Sequence, residues 1–133
     1  MIGEPLQVVV ADDHPLFREG VIASLSSDEG IQVVGEAGEA DTAVRVVRET
    51  LPDVVLLDVD MPGSGLEAAS RIASAAPATR VIMLTVSEDE DHLLSAMKAG
   101  ASGYVLKKLQ VRSRVEAALL AAKGGLGQEA VAH

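Results

Sequence analysis

The chain has 133 residues, a net charge of −9 and no cysteine. That length fits one domain with its own core. The lack of cysteine excludes disulfides and thiolate metal sites, and the acidic balance argues against nucleic acid as a partner of the whole chain. With no apolar run of about eighteen residues and no charged-then-apolar leader, a soluble, cytoplasmic protein with no membrane partner is expected.

Apolar runs alternate with helical patterns along the chain. Leu6–Ala11 reads as a strand ending in two acids, followed by a helix over Pro15–Leu25 with proline in its first turn. Ile31–Ala37 reads as a second strand, and Ala40–Leu51 as a helix with Ala43, Val44, Val47 and Leu51 on one side. Val54–Leu57 is continuously apolar, as a strand covered on both faces should be. Leu66–Ala76 reads as a helix stopped by Pro77, and Val81–Thr85 as a fourth strand. Ser87 then caps a helix whose first turn is acidic, and Gly100 offers it a left-handed stop. Tyr104–Leu106 is the fifth strand. A last helix carries Val111, Val115, Ala118, Leu119 and Ala122 as an apolar stripe and ends in glycines.

Five strands alternating with helices predict an α/β fold: a doubly wound five-stranded parallel sheet in one domain. Ligands of such sheets gather beyond the carboxyl ends of the strands. The polar residues there are Asp12 and Asp13 after the first strand, Asp58 after the third, Thr85 after the fourth and Lys107 after the fifth. Each alone has a plain reading as a cap, a strand-end hydroxyl or a solvated lysine; it is their joint placement that signals a site. Three carboxylates at close range oppose one another's ionisation, and a hard divalent cation such as Mg²⁺ relieves that repulsion. Beside such an ion a carboxylate can act as a nucleophile toward phosphorus. Lys107 would neutralise charge on the transferring oxygens, and Thr85 would donate to the phosphoryl group.

Four segments carry a resemblance. Asp12-Asp13-His14-Pro15, Leu56-Leu57-Asp58-Val59-Asp60-Met61-Pro62-Gly63, Met83-Leu84-Thr85-Val86-Ser87 and Lys98-Ala99-Gly100-Ala101-Ser102-Gly103-Tyr104-Val105-Leu106-Lys107 together resemble the receiver domain of two-component response regulators. The likeness is greatest to the NarL/FixJ branch, whose members usually carry a LuxR-type helix-turn-helix. The resemblance implies a flavodoxin-like (βα)5 fold with Asp58 as phosphoacceptor. It implies Mg²⁺ held by Asp13, by Asp12 through a water, by Asp58 and by the backbone carbonyl of Asp60. It makes Lys107 the phosphoryl's partner, Thr85 the switch hydroxyl and Tyr104 the switch aromatic. The implied donor is a phosphohistidine on a sensor histidine kinase, and the implied role is signalling rather than enzymatic turnover. His14 reads as a turn residue.

Two features depart from the family pattern. Only Gly63 and Ser64 separate Pro62 from Gly65, so the loop after Asp58 is one residue short. Lys107 is followed by Lys108 rather than proline, which makes a cis bond there unexpected, since the non-proline form costs about 2.5–4 kcal/mol.

Competing readings fare worse. Asp58-Val59-Asp60 also resembles the first motif of aspartyl-phosphate phosphatases of the haloacid-dehalogenase type, but Pro62 stands where Thr or Val is expected. A flavodoxin-like cofactor carrier would need a hydroxyl- and glycine-rich loop where Asp12 and Asp13 stand.

Residues 107–133 hold five basic and two acidic side chains, against six and eighteen before them. Residues 1–107 are therefore read as the receiver core, 108–124 as a helix completing it and 125–133 as a flexible tail. The stretch from Lys108 to Lys123 resembles the closing helix of a LuxR-type DNA-binding domain. The expectation is a receiver joined to the last helix of a lost output domain, able to dimerise through that helix and unable to bind specific DNA by itself.

Overall fold

The computed structural model describes residues 4–85, 94–95 and 97–106. Their order is β1 (Leu6–Ala11), α1 (Pro15–Ser26), β2 (Ile31–Ala37), α2 (Ala40–Thr50), β3 (Val54–Asp58), α3 (Gly65–Ala75), β4 (Arg80–Thr85) and β5 (Gly103–Leu106). All four strand pairings are parallel, and the sheet order is β2-β1-β3-β4-β5. This is the doubly wound parallel sheet expected from the alternation. The expected elements that lie wholly among the described residues are recovered to within a residue or two at each end. The third helix begins at Gly65 rather than Leu66, because Ser64 Oγ accepts the Glu67 amide at 3.2 Å and caps it. Helical residues at Leu94, Ser95, Met97 and Lys98 lead to Gly100, whose φ of 107° stops the helix as expected.

The two-residue period of the strands divides the core into two layers. Val9 and Ala11, Val55 and Leu57, and Val81 and Met83 point to one face. There they meet Ala43, Val44 and Val47 of α2 and Ala68, Ala69 and Ile72 of α3. The alternate set, Val8, Val10, Val54, Leu56, Ile82, Leu84 and Val105, faces the other side and meets Val21 and Leu25 of α1. Every residue of β3 is buried, as the middle strand of a sheet covered on both faces must be.

The edge of the sheet away from the strand C-termini is tied by polar contacts. Asp53 exchanges its backbone amide and a carboxylate oxygen with the Gln7 backbone, at 2.9 and 2.8 Å, and the buried Thr79 hydroxyl donates to the Pro52 carbonyl at 2.8 Å. These fix where β1, β3 and β4 begin, and so where their far ends fall. No helix among the described residues is long and apolar enough to cross a membrane.

Candidate functional site

β1 pairs with β2 on one side and β3 on the other, so the sheet order reverses between β1 and β3. A crevice opens at such a reversal, beyond the strand ends. Asp12 follows β1 directly and its amide continues the ladder to the Ala37 carbonyl at 2.9 Å, while Asp58 closes β3. Two carboxylates thus arrive side by side, held by backbone rather than by loops. Asp12 is fully buried, Asp58 is 2% exposed and Asp13 is partly exposed.

His14 completes the group. Its Nδ1 lies 2.9 Å from Asp12 Oδ1, 3.2 Å from Asp13 Oδ1 and 3.9 Å from Asp58 Oδ2. Its own amide donates to Asp12 Oδ1 at 2.8 Å, and its carbonyl accepts from Arg18 at 2.9 Å. Pro15 then starts α1 with no side-chain cap. The turn reading of His14 therefore describes its backbone only; its ring stands among the acids. Arg18 was not singled out from sequence either. Its Nη1 donates to the Asp12 carbonyl at 2.6 Å while its Nε binds Glu36 at 2.9 Å, bracing the β1–α1 turn against β2.

The loop after Asp58 is tight. Asp58 Oδ1 accepts the Asp60 amide at 3.2 Å, which holds Asp60 at the site, with its side chain exposed. Gly65 donates to the Val59 carbonyl and Ser64 to the Met61 carbonyl, at 3.1 and 2.9 Å. The shortened loop closes with two positive φ values in succession, 86° at Gly63 and 75° at Ser64. The second is uncommon for a residue with a Cβ. The Pro62 carbonyl accepts from Ala40, which fastens the loop to α2.

Thr85 is 4% exposed and ends β4. It stands one position beyond Leu84, the register partner of Asp58, so it lies on the same edge of the sheet. In the next pairing Thr85 faces Leu106, the residue before Lys107. Tyr104 is in β5, paired with Met83 at the backbone. Lys107, the bond after it, the Tyr104 side chain, the start of the helix at Ser87, the last helix and the tail lie outside the described residues.

The donor set suits a divalent cation. Asp12, Asp13, His14 and Asp58 each offer one ligand atom, all within 4.8 Å of one another. Asp13 Oδ1 is shut off from solvent and accepts no hydrogen bond, although His14 Nδ1 is near. A buried carboxylate oxygen left in that state costs free energy that a bound cation would recover. The residues present therefore fit a metal ion.

This fold and this cluster define a doubly wound α/β domain with an acidic, cation-fitting crevice at its strand ends, and comparison with known proteins gives the family. Residues 8–119 match the response regulator receiver domain, and the chain belongs to that family. It is similar to the transcriptional regulatory protein DegU of Brevibacillus brevis, 37% identical over 121 residues, which is 90% of this chain and 51% of DegU. The signal receiver domain of NarL from Mycobacterium tuberculosis superposes with a TM-score of 0.85 at 41% identity, covering 92% of this chain and 99% of that one. The isolated receiver domain of RcsB from Salmonella enterica serovar Typhimurium, solved with the phosphomimetic BeF3−, gives 0.83 at 27% identity, covering 92% and 91%. The chain spans about half the length of the curated relatives it matches. Its function is that of a receiver domain of two-component response regulators, and the NarL-like resemblance read from the four motifs holds.

Proposed function

We propose that the chain accepts a phosphoryl group on Asp58 from the phosphohistidine of a sensor histidine kinase and signals by a change of shape. The observation that carries this is the buried Asp58 carboxylate at the sheet's reversal point, with Asp12, Asp13 and His14 closing around it. An Asp58 oxygen forms a bond to phosphorus as the donor's P–N bond breaks, and the electron pair leaves with the donor imidazole, which takes up a proton. Asp13, Asp12 through a water, Asp58 and the Asp60 carbonyl would hold Mg²⁺, which when bound supplies charge neutralisation on the phosphoryl oxygens. Lys107 pairs with the same oxygens. The strand ends fix Asp58 before the donor arrives, so positioning contributes to the rate without further movement.

Thr85 transmits the event. New negative charge beside its hydroxyl draws it inward, and Tyr104, nineteen residues on, follows into the space behind it. Thr85→Ala is expected to take up phosphoryl and fail to switch. Amide spectra of the Ser87–Gly100 stretch that change identically in wild type and Thr85→Ala would count against this.

Residues 108–124 close the receiver as its last helix. The family match continues through residue 119, past the change of charge at Lys107. Their apolar stripe suits the sheet face that, among the described residues, meets α1 alone.

The deciding experiment is intact mass after incubation with Mg²⁺ and acetyl phosphate. One phosphoryl is expected on the wild-type chain and none on Asp58→Asn, whose amide is no nucleophile. Full labelling of Asp58→Asn would sink the assignment. Hydrolysis of a general phosphatase substrate by repeated turnover would favour the phosphatase reading instead.

A further inference from the structure

His14 offers a nitrogen where the proposed Mg²⁺ site needs only oxygen. We infer that His14 Nδ1 is a direct metal ligand, which makes this site take a nitrogen-preferring divalent ion such as Zn²⁺ more tightly than Mg²⁺. The inference rests on the proposed metal site of Asp13, Asp58 and the Asp60 carbonyl, with Asp12 acting through a water, and adds a nitrogen ligand to it.

Without an ion, His14 Nδ1 and Asp12 Oδ1 share a hydrogen bond of 2.9 Å, and the wider spacing also suits ligands around one ion. In an octahedral site with ligands about 2.1 Å from the ion, adjacent ligand atoms stand about 3.0 Å apart and opposite ones about 4.2 Å. Nδ1 lies 2.9, 3.2 and 3.9 Å from oxygens of Asp12, Asp13 and Asp58. Small ring and side-chain rotations would let Nδ1 and the Asp13 and Asp58 oxygens converge on one ion, with Asp12 reached through a water. The buried Asp13 Oδ1, which accepts no hydrogen bond, is a second sign that something besides His14 belongs between them.

The ring is aimed by its backbone. The His14 amide is held by Asp12, its carbonyl by Arg18, and Pro15 follows, so the residue has little freedom to leave the cluster. Its side chain is 65% exposed. Nε2 can therefore carry the ring proton on the solvent side while Nδ1 turns its lone pair to the ion. Imidazole binds Mg²⁺ poorly and the later first-row ions well, so this one ligand shifts the preference of an otherwise all-oxygen site.

Calorimetric titration with Zn²⁺ and with Mg²⁺, on the wild-type chain and on His14→Ala, tests the inference. Zn²⁺ should bind wild type at least about tenfold more tightly than His14→Ala. Mg²⁺ affinity should differ between the two by no more than about twofold. Nitrogen NMR of the wild-type imidazoles gives a readout that needs no variant, because the His14 Nδ1 resonance should move to the metal-bound position with Zn²⁺. An unmoved Nδ1 resonance, or equal Zn²⁺ affinity in the two proteins, overturns the inference. Phosphorylation of Asp58 with Mg²⁺ in His14→Ala is read separately. Its presence alongside either of those results removes only the role of His14, whereas its absence from wild type removes the proposed phosphoacceptor role of Asp58.

Discussion

At the scale of single residues, the loop after Asp58 depends on a glycine that is not chemical at all. A Cβ on Gly65 would overlap the Asp58 carbonyl oxygen and sit 2.8 Å from the Asp58 carbonyl carbon and 2.9 Å from Val59 Cα. All three atoms are backbone, so no flexible side chain can yield. Gly65→Ala must push the end of β3 away from α3, and with it the carboxylate. A loss of about 2–3 kcal/mol in urea unfolding is expected, together with loss of phosphoryl uptake by mass. Wild-type stability in Gly65→Ala would show that the loop is looser than its hydrogen bonds imply. Ser64 next to it predicts the opposite sign. Its φ of 75° is strained for an L-residue, and glycine relieves that strain, against the loss of a cap to Glu67 worth a few tenths of a kcal/mol. Ser64→Gly is expected to raise stability by about 1 kcal/mol. A lower unfolding midpoint would mean that the serine cap outweighs the backbone strain.

At the scale of elements, periodicity carried most of the information. β3 was legible because a middle strand has no solvent face, and its apolar run ends at a buried acid. α2 was legible because Ala43, Val44 and Val47 repeat at helical spacing and all three are buried. Contacts between distant segments were not legible. β2 was read with the right limits, yet its register against β1 slips between Val8 and Val9, leaving Val34 without a partner. Both Val33 and Val34 are apolar, so composition does not say which one pairs. At Gly35, just after the slip, a Cβ would come within 2.6 Å of Val46 in α2, a close approach no local pattern announces. His14 was misjudged for the same reason: its neighbour Asp13 is visible in sequence, but the approach of Asp58 depends on how β1 and β3 pair. The packing itself predicts a large effect at Ile72, which is fully buried between α3 and the sheet. Ile72→Ala is expected to cost about 2–5 kcal/mol in equilibrium unfolding. A cost below about 1 kcal/mol would mean that α3 collapses onto the space without penalty.

At the scale of the whole molecule, the two faces of the sheet are unequal among the described residues. α2 and α3 pack on one face, while α1 alone packs on the other beside Ile82, Leu84 and Val105. A five-stranded sheet needs more than one helix on each side, since an open apolar face of that size would associate or aggregate. The stripe Val111, Val115, Ala118, Leu119 and Ala122 can supply the cover in two ways, by docking on its own sheet or by pairing with the same helix of a second chain. We propose that it docks and that part of it also joins two copies, because the stretch resembles a helix that makes dimer contacts in LuxR-type domains. Sedimentation of the chain at rising concentration should then pass from monomer toward dimer, and Leu119→Glu should either hold it as monomer or unfold it. The stretch from Lys108 brings only Lys108, Arg112, Arg114 and Lys123 as cations to an otherwise acidic molecule. Specific readout needs a helix seated in the major groove with several side chains at base edges, and these scattered cations provide phosphate attraction at most. No sequence-specific retardation of DNA is expected from this chain, with or without phosphoryl on Asp58. A clean monomer at every concentration would overturn the pairing of helices, and retardation that distinguishes one DNA sequence from another would overturn the expectation that these 133 residues alone do not read bases.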